Sequence, residues 1–477
     1  MKLYELLENN AETKLENIEI TSVTDNTKKV CEGSLFVCVK GGSFDGHSAA
    51  KEMLEKGAAA VITERDLGLG DRQIIVENSR EFYGGLCAKW FDHPEKKLKL
   101  IGVTGTNGKT TITNVIKHIL TSNGHKTGLI GTIQNEIGDE IVHTENTTPM
   151  AFDLMALFDR MVKAGCEYAV MEVSSFGLAQ NRIGCSHFDV ALFTNLTQDH
   201  LDYHKDMEDY FQAKKLLFKR CDTAICNADD EYGKRLFNEI NCDKKTYGIC
   251  GEADYYANSV KIKASGSSFW FCMGGKSYLV KSKMPGAFNV SNLTAAVAVC
   301  LNAGISIEKI IASIENYCGV RGRCEVIPTN RDFAVICDYA HTPDAIENIL
   351  SSVREYTESR LICLFGCGGN RDAGKRPKMA KAAAKFADKL IITSDNPRNE
   401  NPDDIIKDVI SGLDGLNVDY DVITDRKEAI LHALKTAEKG DVIVLAGKGH
   451  EDYQVLADNV HIHFDEREIV AECLNLI

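Results

Sequence analysis

A short glycine-rich segment, Gly105-Thr-Asn-Gly-Lys-Thr-Thr111, has the composition of a nucleotide phosphate-binding loop. It follows the apolar run at 98–104, which is typical of a buried strand, and precedes a helical pattern at 112–120. Backbone N–H groups and a helix N-terminus would converge there on a bound phosphate. The side chains predict Lys109 at the β- and γ-phosphates and Thr110 on Mg²⁺.

Polar side chains also follow the next strand patterns. Met171-Glu-Val-Ser-Ser-Phe-Gly177 places Glu172 at the end of an apolar strand, and a later strand runs into the polar segment 194–204. Ligands of open α/β sheets gather at the carboxyl ends of strands, so Glu172 is placed to bind a Mg²⁺ that bridges ATP phosphates. A glutamate that only faces solvent is the alternative. In the helical segment 211–218, nothing local distinguishes a functional lysine from a solvated one.

Three polar loops follow strand patterns in the last third of the chain. Residues 366–377 form a glycine-rich loop with several Arg and Lys side chains, which indicates an anion site. Asp395-Asn-Pro-Arg398 and Gly447-Lys-Gly-His-Glu-Asp452 each follow another strand. A further strand ends at Asp338, where a helix start with Thr342 as N-cap and a proline at its first position is also compatible.

Composition limits the classes of function. The chain has 477 residues and a net charge of −14, and it has no basic run with interleaved aromatic residues, so nucleic acid is not expected as a partner. It has no apolar stretch of about 20 residues and no signal-peptide pattern, which predicts a cytoplasmic protein without membrane insertion. Its 17 cysteines form no C-x-x-C pair and are expected to be reduced and mostly buried.

The alternation of strand and helix patterns predicts an α/β protein of three domains. Residues 1–95 mix short strands and helices and form a small α/β domain. Residues 96–328 form a central parallel-sheet domain with the phosphate-binding loop, and alternating residues at 254–280 indicate an antiparallel insertion in it. Residues 329–477 form a C-terminal, Rossmann-like α/β domain. Site residues are expected at the domain junctions.

Taken in order, these motifs resemble the Mur ligase family across essentially the whole chain. The resemblance depends on G-T-N-G-K-T-T, T-T-P at 147–149, M-E-V-S-S, T-N-L-T-Q-D-H-L-D-Y-H and A-K-K-L-L-F. It also depends on G-R-C-E, D-Y-A-H-T-P, G-C-G-G-N-R-D-x-G-K-R-P, D-N-P-R and G-K-G-H-E-D-Y. The first domain departs from the family pattern, because Asn26-Thr27-Lys28 stands where the family commonly has Asp-Ser-Arg.

The resemblance implies roles for particular residues. The implied ATP-binding residues are Gly105, Thr106, Asn107, Gly108, Lys109, Thr110, Thr111, Asn289, Arg323 and Asp338. The residues implied in binding the UDP-muramoyl dipeptide are Thr27, Ser43, Thr147, Thr148, Ser174, Gln180 and Arg182. The residues implied in binding diaminopimelate are Arg371, Asp395, Asn396, Pro397, Arg398, Gly447 and Glu451. The implied catalytic residues are Lys109, Glu172, His200 and Lys214, and the implied Mg²⁺ ligands are Thr110, Glu172, His200 and Lys214 modified to a carbamate (N6-carboxylysine).

The family likeness implies an ATP-dependent, Mg²⁺-requiring amide ligase that acts through an acyl phosphate. Its expected reaction adds meso-diaminopimelate to UDP-N-acetylmuramoyl-L-alanyl-D-glutamate (UDP-MurNAc-L-Ala-D-Glu) in cytoplasmic peptidoglycan precursor synthesis. A monomer that binds only these small-molecule substrates is expected. L-Lysine or another diamino acid, a sister ligase of the family and folylpolyglutamate synthase are the alternatives within the ligase class.

A P-loop NTPase that acts as a switch is the alternative from another class. It is disfavoured because Val103 stands where the common G-x-x-x-x-G-K-[ST] pattern has its first glycine, and because no guanine-reading N-K-x-D motif is found. Phosphate release that depends on both a UDP-muramoyl peptide and an amino acid would separate the two classes.

Overall fold

The computed structural model describes residues 1–7, 15, 17–42, 44–199, 203–249 and 253–477. Its chain divides into two compact units. The first comprises Met1–Tyr247 with Ala295–Ser306, and the second comprises Gly248–Thr294 with Ile307–Ile477. No helix in the described ranges is long and apolar enough to cross a membrane.

The first unit begins with a four-stranded parallel sheet in the order β1-β2-β3-β4. Its strands are Ser22–Thr24 (β1), Ser34–Val37 (β2), Ala60–Thr63 (β3) and Gln73–Ile75 (β4). Helices Leu3–Leu7 (α1), Ala50–Glu55 (α2) and Ser79–Trp90 (α3) accompany them. The second and third strands are fully buried, as their apolar sequences predict.

The phosphate-binding segment lies in the central sheet of the same unit. Its strands are Lys99–Thr104 (β5), Thr127–Ile130 (β6), Asn135–Ile137 (β7), Glu140–Val142 (β8), Tyr168–Glu172 (β9), Phe188–Phe193 (β10), Cys221–Asn227 (β11) and Asp243–Gly248 (β12). They are ordered β8-β7-β6-β9-β5-β10-β11-β12 and are parallel from β6 to β12. Helices Lys109–Ser122 (α4), Ala151–Lys163 (α5), Ser175–Ala179 (α6), Met207–Lys215 (α7) and Glu231–Glu239 (α8) connect them. Because β9, β5 and β10 are neighbours, the loops that follow them share one edge of the sheet.

The second unit contains the antiparallel strands predicted at 254–280. They are Tyr255–Lys263 (β13), Gly266–Met273 (β14) and Lys276–Ser282 (β15), which pair in sequence order. Helix Ala287–Asn302 (α9) begins in this unit and ends in the first, and Ile307–Glu315 (α10) follows it.

The C-terminal part of the second unit is a six-stranded sheet of order β16-β17-β21-β18-β19-β20. Its strands are Glu325–Ile327 (β16), Ala334–Asp338 (β17), Leu361–Phe365 (β18), Lys389–Ile392 (β19), Asp419–Val422 (β20) and Val442–Ala446 (β21). Only β16 is antiparallel to its neighbour. The remaining elements are Pro343–Arg354 (α11), Arg376–Ala384 (α12), Pro402–Ile410 (α13), Arg426–Thr436 (α14), Tyr453–Val455 (β22), His461–His463 (β23) and Glu466–Leu474 (α15).

Local sequence explains the helix starts that matter for the site. Helix α11 begins as predicted, with Pro343 at its first position and the Thr342 hydroxyl accepting the Ala345 N–H. Helix α4 begins directly after Gly108, whose φ of 88° suits glycine. The buried face of α4 includes Ile112, Val115, Ile116 and Ile119, at the spacing of an amphipathic helix.

Candidate active site

The loop between β5 and α4 begins at Gly105, a position where the backbone admits only glycine. Gly105 has a φ of 146°, and a Cβ there would lie 1.8 Å from Thr194 Oγ1. The end of β10 supports the loop, because Thr106 N donates to Asn195 O at 2.8 Å and Asn107 N donates to Asn195 Oδ1 at 3.0 Å. The loop is therefore held rigidly against the neighbouring strand end.

Lys109 lies at the first position of α4 with its amine turned into the loop. Its Nζ donates to Gly105 O at 2.9 Å and to Thr106 O at 2.8 Å. Thr110 follows it in the first helical turn, where N–H groups have no partner within the helix and attract anions. This strand-loop-helix geometry suits a phosphate site.

Glu172 ends β9 with only 1% of its surface exposed. Its Oε1 accepts the Thr132 N–H at 2.9 Å, and its Oε2 accepts the Thr132 hydroxyl at 3.0 Å. The register of β5 and β9 pairs Glu172 with Val103, two residues before Gly105. A buried carboxylate therefore lies one strand away from the loop between β5 and α4, at the strand end that the sequence predicted.

Lys214, on α7, is 1% exposed. Its Nζ donates to Gly105 O at 2.8 Å and lies 4.6 Å from the centre of the Tyr210 ring. Burial, and then the nearby Lys109 charge, hold the pKa of this amine well below its usual range. Lys215 instead pairs with Glu239 at 2.6 Å on the helix surface. His200 lies outside the described residues.

Five of the residues that the family resemblance assigned to the UDP-muramoyl dipeptide form one cluster near the end of β9; they are Thr147, Thr148, Ser174, Gln180 and Arg182. Thr148 Oγ1 accepts the Ser174 N–H at 2.9 Å, and Thr148 O accepts from Arg182 Nη1 at 2.9 Å. Arg182 also donates through Nε and Nη2 to Gln180 Oε1. Thr147 contacts Thr132, the partner of Glu172, through hydroxyls 3.0 Å apart. Hydrogen bonds thus join this cluster to Glu172.

Thr27 lies in a different part of the first unit, at a cavity of about 400 Å³. The cavity is lined by Ser22, Val23, Thr24, Asp25, Asn26, Thr27, Lys29, Phe44, Tyr83, Met150, Phe152 and Asp153. Its aromatic and polar walls suit a flat, hydrogen-bonding group such as a nucleobase. Ser43 lies outside the described residues.

Arg323 and Asp338 lie together in the second unit. Asp338 accepts the N–H groups of Cys324 and Ala340 at 2.7 and 2.8 Å, and burial raises the pKa of its carboxyl. The Arg323 guanidinium lies over the Tyr339 ring at 5.3 Å. Asn289 is buried at the start of α9, where its amide donates to Pro285 O at 2.7 Å.

Three adjacent strands of the C-terminal sheet, β21, β18 and β19, bring the residues assigned to diaminopimelate to one edge. Asn396 Nδ2 donates to Glu451 Oε2 at 3.1 Å, which joins two of the loops. Arg398 Nη1 donates to Gly369 O at 3.0 Å, which joins the third. Arg398 has a φ of 51°, and its backbone N–H is held by Val455 O.

Arg371 and Arg398 flank the same glycine, Gly368. A Cβ on Gly368 would lie 2.9 Å from Arg398 Nη1 and 3.7 Å from Arg371 Cγ. Pro397 precedes Arg398 and is buried. Gly447, in the loop after β21, has a φ of 114° and donates its N–H to Asp338 O. This edge therefore presents two guanidinium groups and the Glu451 carboxylate.

Sequence comparisons identify the family. The profile described as Mur ligase family, catalytic domain, matches residues 19–89, the Mur ligase middle domain matches 103–300, and the Mur ligase, glutamate ligase domain matches 322–449. UDP-N-acetylmuramoyl-L-alanyl-D-glutamate--2,6-diaminopimelate ligase 1 of Clostridium acetobutylicum is 47% identical over 460 residues, which cover 96% of this chain and 95% of that protein. The chain belongs to the Mur ligase family.

Two further comparisons agree with this assignment. The UDP-N-acetylmuramoyl-L-alanyl-D-glutamate--2,6-diaminopimelate ligase of Bacillus cereus is 44% identical, with 96% of this chain and 95% of that protein covered. A solved structure of a ligase of that name superposes with a TM-score of 0.77 at 31% identity, and it covers 100% of this chain and 99% of the other. The α/β fold and the three-domain Mur ligase architecture predicted from the sequence are confirmed.

In this Mur ligase, three residues that shape the site were given no role by the sequence. Thr132 carries no motif, but it reaches Glu172 because β6 lies next to β9. Asn195 stands in the T-N-L-T motif and was not assigned a role, although it holds the phosphate-binding loop. Lys448 stands inside G-K-G-H-E-D and was also not assigned.

Lys448 is a fully buried cation between the loops of this Mur ligase that follow β19 and β21. Its Nζ donates to Asn396 Oδ1 at 2.6 Å and to Tyr453 O at 2.8 Å. It also forms ion pairs with Asp395 and Glu451 at 3.2 and 3.4 Å. Burial raises the pKa of Asp395, but the charges of Lys448 and then Arg426 outweigh it and hold that pKa below its usual range.

We expect Lys448→Met to destabilise the protein by about 3–5 kcal/mol, because it leaves buried carboxylates without their cation. Chemical denaturation at pH 7 measures the loss. Since the Asp395 pKa is lowered, its stabilising pair is present above the ordinary pKa of about 4 and is lost as the pH falls through the folded value. The variant should therefore lose part of this acid dependence. Lys407→Met, at an exposed lysine of α13, is the matched control and should change stability by less than about 1 kcal/mol.

Proposed function

We propose that this chain is an ATP-dependent ligase that adds meso-diaminopimelate to UDP-MurNAc-L-Ala-D-Glu through an acyl phosphate. The observation that carries the ligase assignment is the buried Lys214 amine against the carbonyl of Gly105 in the phosphate-binding loop. A simple NTPase switch has no use for a lysine amine that is buried at that place and whose pKa is held below its usual range. The names of relatives at 42–47% identity support the amino acid and the muramoyl substrate.

The residues around this loop fit a Mg²⁺ ion. Each Glu172 carboxylate oxygen accepts one hydrogen bond from Thr132 and keeps lone pairs for a hard cation. Thr110, Glu172 and Lys214 as a carbamate would bind Mg²⁺, and His200 completes the proposed set. The ion would supply positive charge next to the phosphates. A neutral Lys214 amine is the form that reacts with CO₂, and its lowered pKa supports that reaction.

The chain's own residues would perform three tasks in the reaction. The N–H groups of Gly105–Thr111 and the Lys109 amine would hold the ATP phosphates while the D-glutamate carboxylate attacks the γ-phosphorus and ADP leaves. The cluster of Thr147, Thr148, Ser174, Gln180 and Arg182 would hold the dipeptide, with Thr27 and Ser43 at the UDP moiety. Asn289, Arg323 and Asp338 would bind the adenine, phosphates and ribose. The incoming amine then attacks the acyl carbonyl and expels phosphate.

Charge at the edge of the C-terminal sheet supports meso-diaminopimelate over L-lysine. The Arg398 guanidinium can bind the second carboxylate of diaminopimelate through two hydrogen bonds, with Arg371 beside it. The distal ammonium would meet Glu451, and Asp395, Asn396, Pro397 and Gly447 belong to the surrounding loops. L-Lysine would bring an ammonium to the two arginines and leave them without an anionic partner.

We expect Arg398→Ala to raise the KM for meso-diaminopimelate steeply and to spare the KM for ATP. Truncating one partner of such a charged pair costs about 2–5 kcal/mol, or roughly 30- to 4,000-fold in KM. Steady-state kinetics with each substrate varied in turn measures the split. Arg331→Ala, at an exposed arginine away from these loops, is the control and should leave both KM values unchanged. Equal effects of Arg398→Ala on both substrates would contradict the assignment.

The decisive assay compares meso-diaminopimelate, L-lysine and L-ornithine at equal concentrations in the presence of ATP and UDP-MurNAc-L-Ala-D-Glu. Phosphate release should require both the UDP-muramoyl dipeptide and the amino acid, and meso-diaminopimelate should give the highest kcat/KM. Phosphate release without either substrate would favour an NTPase switch. A higher kcat/KM for L-lysine would keep the ligase and overturn the arginine argument.

We also propose the domain limits 1–95, 96–328 and 329–477. The profile matches at 19–89 and 103–300 lie within the first two ranges, and the third match, at 322–449, begins a few residues before 329. The UDP-linked and nucleotide substrates support a cytoplasmic site of action. The protein is proposed to act as a monomer, since no substrate requires a second copy of the chain. Limited proteolysis near residues 95 and 328 would test the limits.

A further inference from the structure

A second cluster of metal-ligating side chains lies in the first unit, between α3 and β5. It is the one group of its kind found among the described residues, and it consists of His93, Glu95 and Cys185. The three candidate ligand atoms lie within 4.8 Å of one another. His93 Nδ1 lies 3.0 Å from Glu95 Oε1, and Cys185 Sγ lies 3.6 Å from the same oxygen. None of these residues has a part in the ligase reaction proposed above.

The backbone places the first two residues in an uncommon arrangement. Asp92 and His93 have φ values of 59° and 50°, in the left-handed region that is unfavourable for most non-glycine residues. Pro94 then begins a short 3-10 helix, Pro94–Lys96, that puts Glu95 inside the protein. The two left-handed residues turn the chain so that His93 and Glu95 face each other.

Glu95 has a buried oxygen without a partner. The residue is 4% exposed, and its Oε2 has no hydrogen-bond partner in the described part of the chain. A buried carboxylate oxygen without a partner is unfavourable, so a positively charged ligand at this place would be favourable.

The third ligand comes from a distant part of the sequence. Cys185 follows Gly184, which packs so closely on α3 that a Cβ on Gly84 would lie 2.6 Å from Gly184 Cα. This contact fixes the loop that carries Cys185 next to the segment that carries His93 and Glu95. The same loop begins just after Arg182, which belongs to the proposed dipeptide cluster.

We propose that His93, Glu95 and Cys185 bind a divalent transition-metal ion of the Zn²⁺ type. An imidazole nitrogen, a carboxylate oxygen and a thiolate form a ligand set that Zn²⁺ accepts in tetrahedral sites, and a water molecule would occupy the fourth position. The sulfur and nitrogen ligands select against Mg²⁺, which prefers oxygen. The ion would join the segment before β5 to the loop after α6.

Binding should release a proton. A cysteine thiol is ordinarily protonated near neutral pH. Zn²⁺ binds the thiolate, so about one thiol proton should leave for each ion bound. A simple hydrogen bond among the three side chains predicts neither ion uptake nor proton release.

The experiment titrates chelator-treated protein with Zn²⁺, and separately with Co²⁺, in the presence of millimolar Mg²⁺ and without ATP. We expect one Zn²⁺ per chain, a higher Tm on binding and a thiolate-to-cobalt charge-transfer band in the near ultraviolet. Cys185→Ser should remove the band and weaken Zn²⁺ binding at least about tenfold. Cys31→Ser, at another exposed cysteine of the same unit, is the matched control. It should keep the charge-transfer band and the Zn²⁺ affinity of the parent protein.

Two further variants separate ligation from a structural effect. Glu95→Gln keeps the size of the side chain, and His93→Asn keeps a residue that tolerates the left-handed backbone. Both should weaken Zn²⁺ binding, with a Tm in the absence of metal that stays within a few degrees of the parent protein. Absence of stoichiometric binding in the parent protein would overturn the proposal. A cobalt spectrum without a thiolate band, or one unchanged in Cys185→Ser, would also overturn it.

Discussion

Replacing Lys214 with alanine should abolish ATP-dependent ligation while the protein stays folded. Loss of a charged group that stabilises the transferring phosphoryl group costs about 10²- to 10³-fold or more in kcat. The side chain is 1% exposed and its Nζ donates to Gly105 O, so its removal acts directly on the phosphate-binding loop. Phosphate release with all three substrates measures the loss, and circular dichroism checks the fold.

The chemistry of the carbamate gives this prediction a second readout. The neutral amine adds CO₂ and loses one proton, so an uncharged group becomes a carbamate whose carboxylate can bind Mg²⁺. Protein prepared without CO₂ should regain activity when bicarbonate is added, and Lys214→Ala should instead regain part of its activity with formate or acetate. Lys214→Met, which fills the same space, should be equally inactive.

The dependence on pH follows from the lowered pKa of Lys214. Above its folded pKa the amine is neutral and can be carbamylated, and below it the amine is protonated and CO₂ cannot add. Activity and the response to bicarbonate should therefore fall together as the pH is lowered through that value. Lys215→Ala, at the adjacent surface lysine, should keep normal activity and the same pH profile. Normal ligation by Lys214→Ala would contradict the whole carbamate argument.

The contrast between these two lysines shows where sequence reasoning stops. Lys214 and Lys215 stand side by side in a helix pattern, and nothing in that pattern distinguishes them. The fold buries one against Gly105 and pairs the other with Glu239 at the surface. Only the family resemblance gave Lys214 a role from the sequence. The burial of a single side chain depends on elements distant in the sequence, so the local pattern does not reveal it.

Elements with strong local signals were predicted well. The strand before the phosphate-binding loop was expected at 98–104 and is Lys99–Thr104, and all three antiparallel strands lie close to the predicted 254–280. Helix α4 begins at Lys109 rather than 112, because its first turn faces the loop and lacks the apolar periodicity of its buried face. Period and turn residues are local properties, so the sequence alone can reveal them.

Contacts that depend on sheet order were not predicted. Thr132 holds Glu172 only because β6 lies beside β9, and Lys448 pairs with Asp395 only because β21, β18 and β19 are consecutive strands of one sheet. The order of parallel strands is decided by long-range packing, and no local motif encodes it. The sequence predicted ligand sites at the ends of strands. It did not predict which side chains from neighbouring strands contact the residues of those sites.

Lys109→Ala is expected to slow ligation by about 10³-fold or more and to leave the fold intact. The amine lies at the first position of α4 and already contacts the carbonyls of Gly105 and Thr106, so it is held at the loop without substrate. Its charge would stabilise the phosphoryl group during transfer, and cations in this role are worth about 10³- to 10⁵-fold in kcat. Lys163→Ala, at an exposed lysine of the same unit, should behave like the parent protein.

The comparison of kcat with ATP affinity decides what Lys109 does. If the amine acts mainly during phosphoryl transfer, kcat should fall far more than ATP binding weakens, because ground-state binding also uses the loop N–H groups. Lys109→Arg keeps the charge but has a larger, planar head group, so it should recover ATP binding better than turnover. Near-normal ATP-dependent ligation by Lys109→Ala would mean that residues 105–111 do not bind the phosphates of the reacting nucleotide.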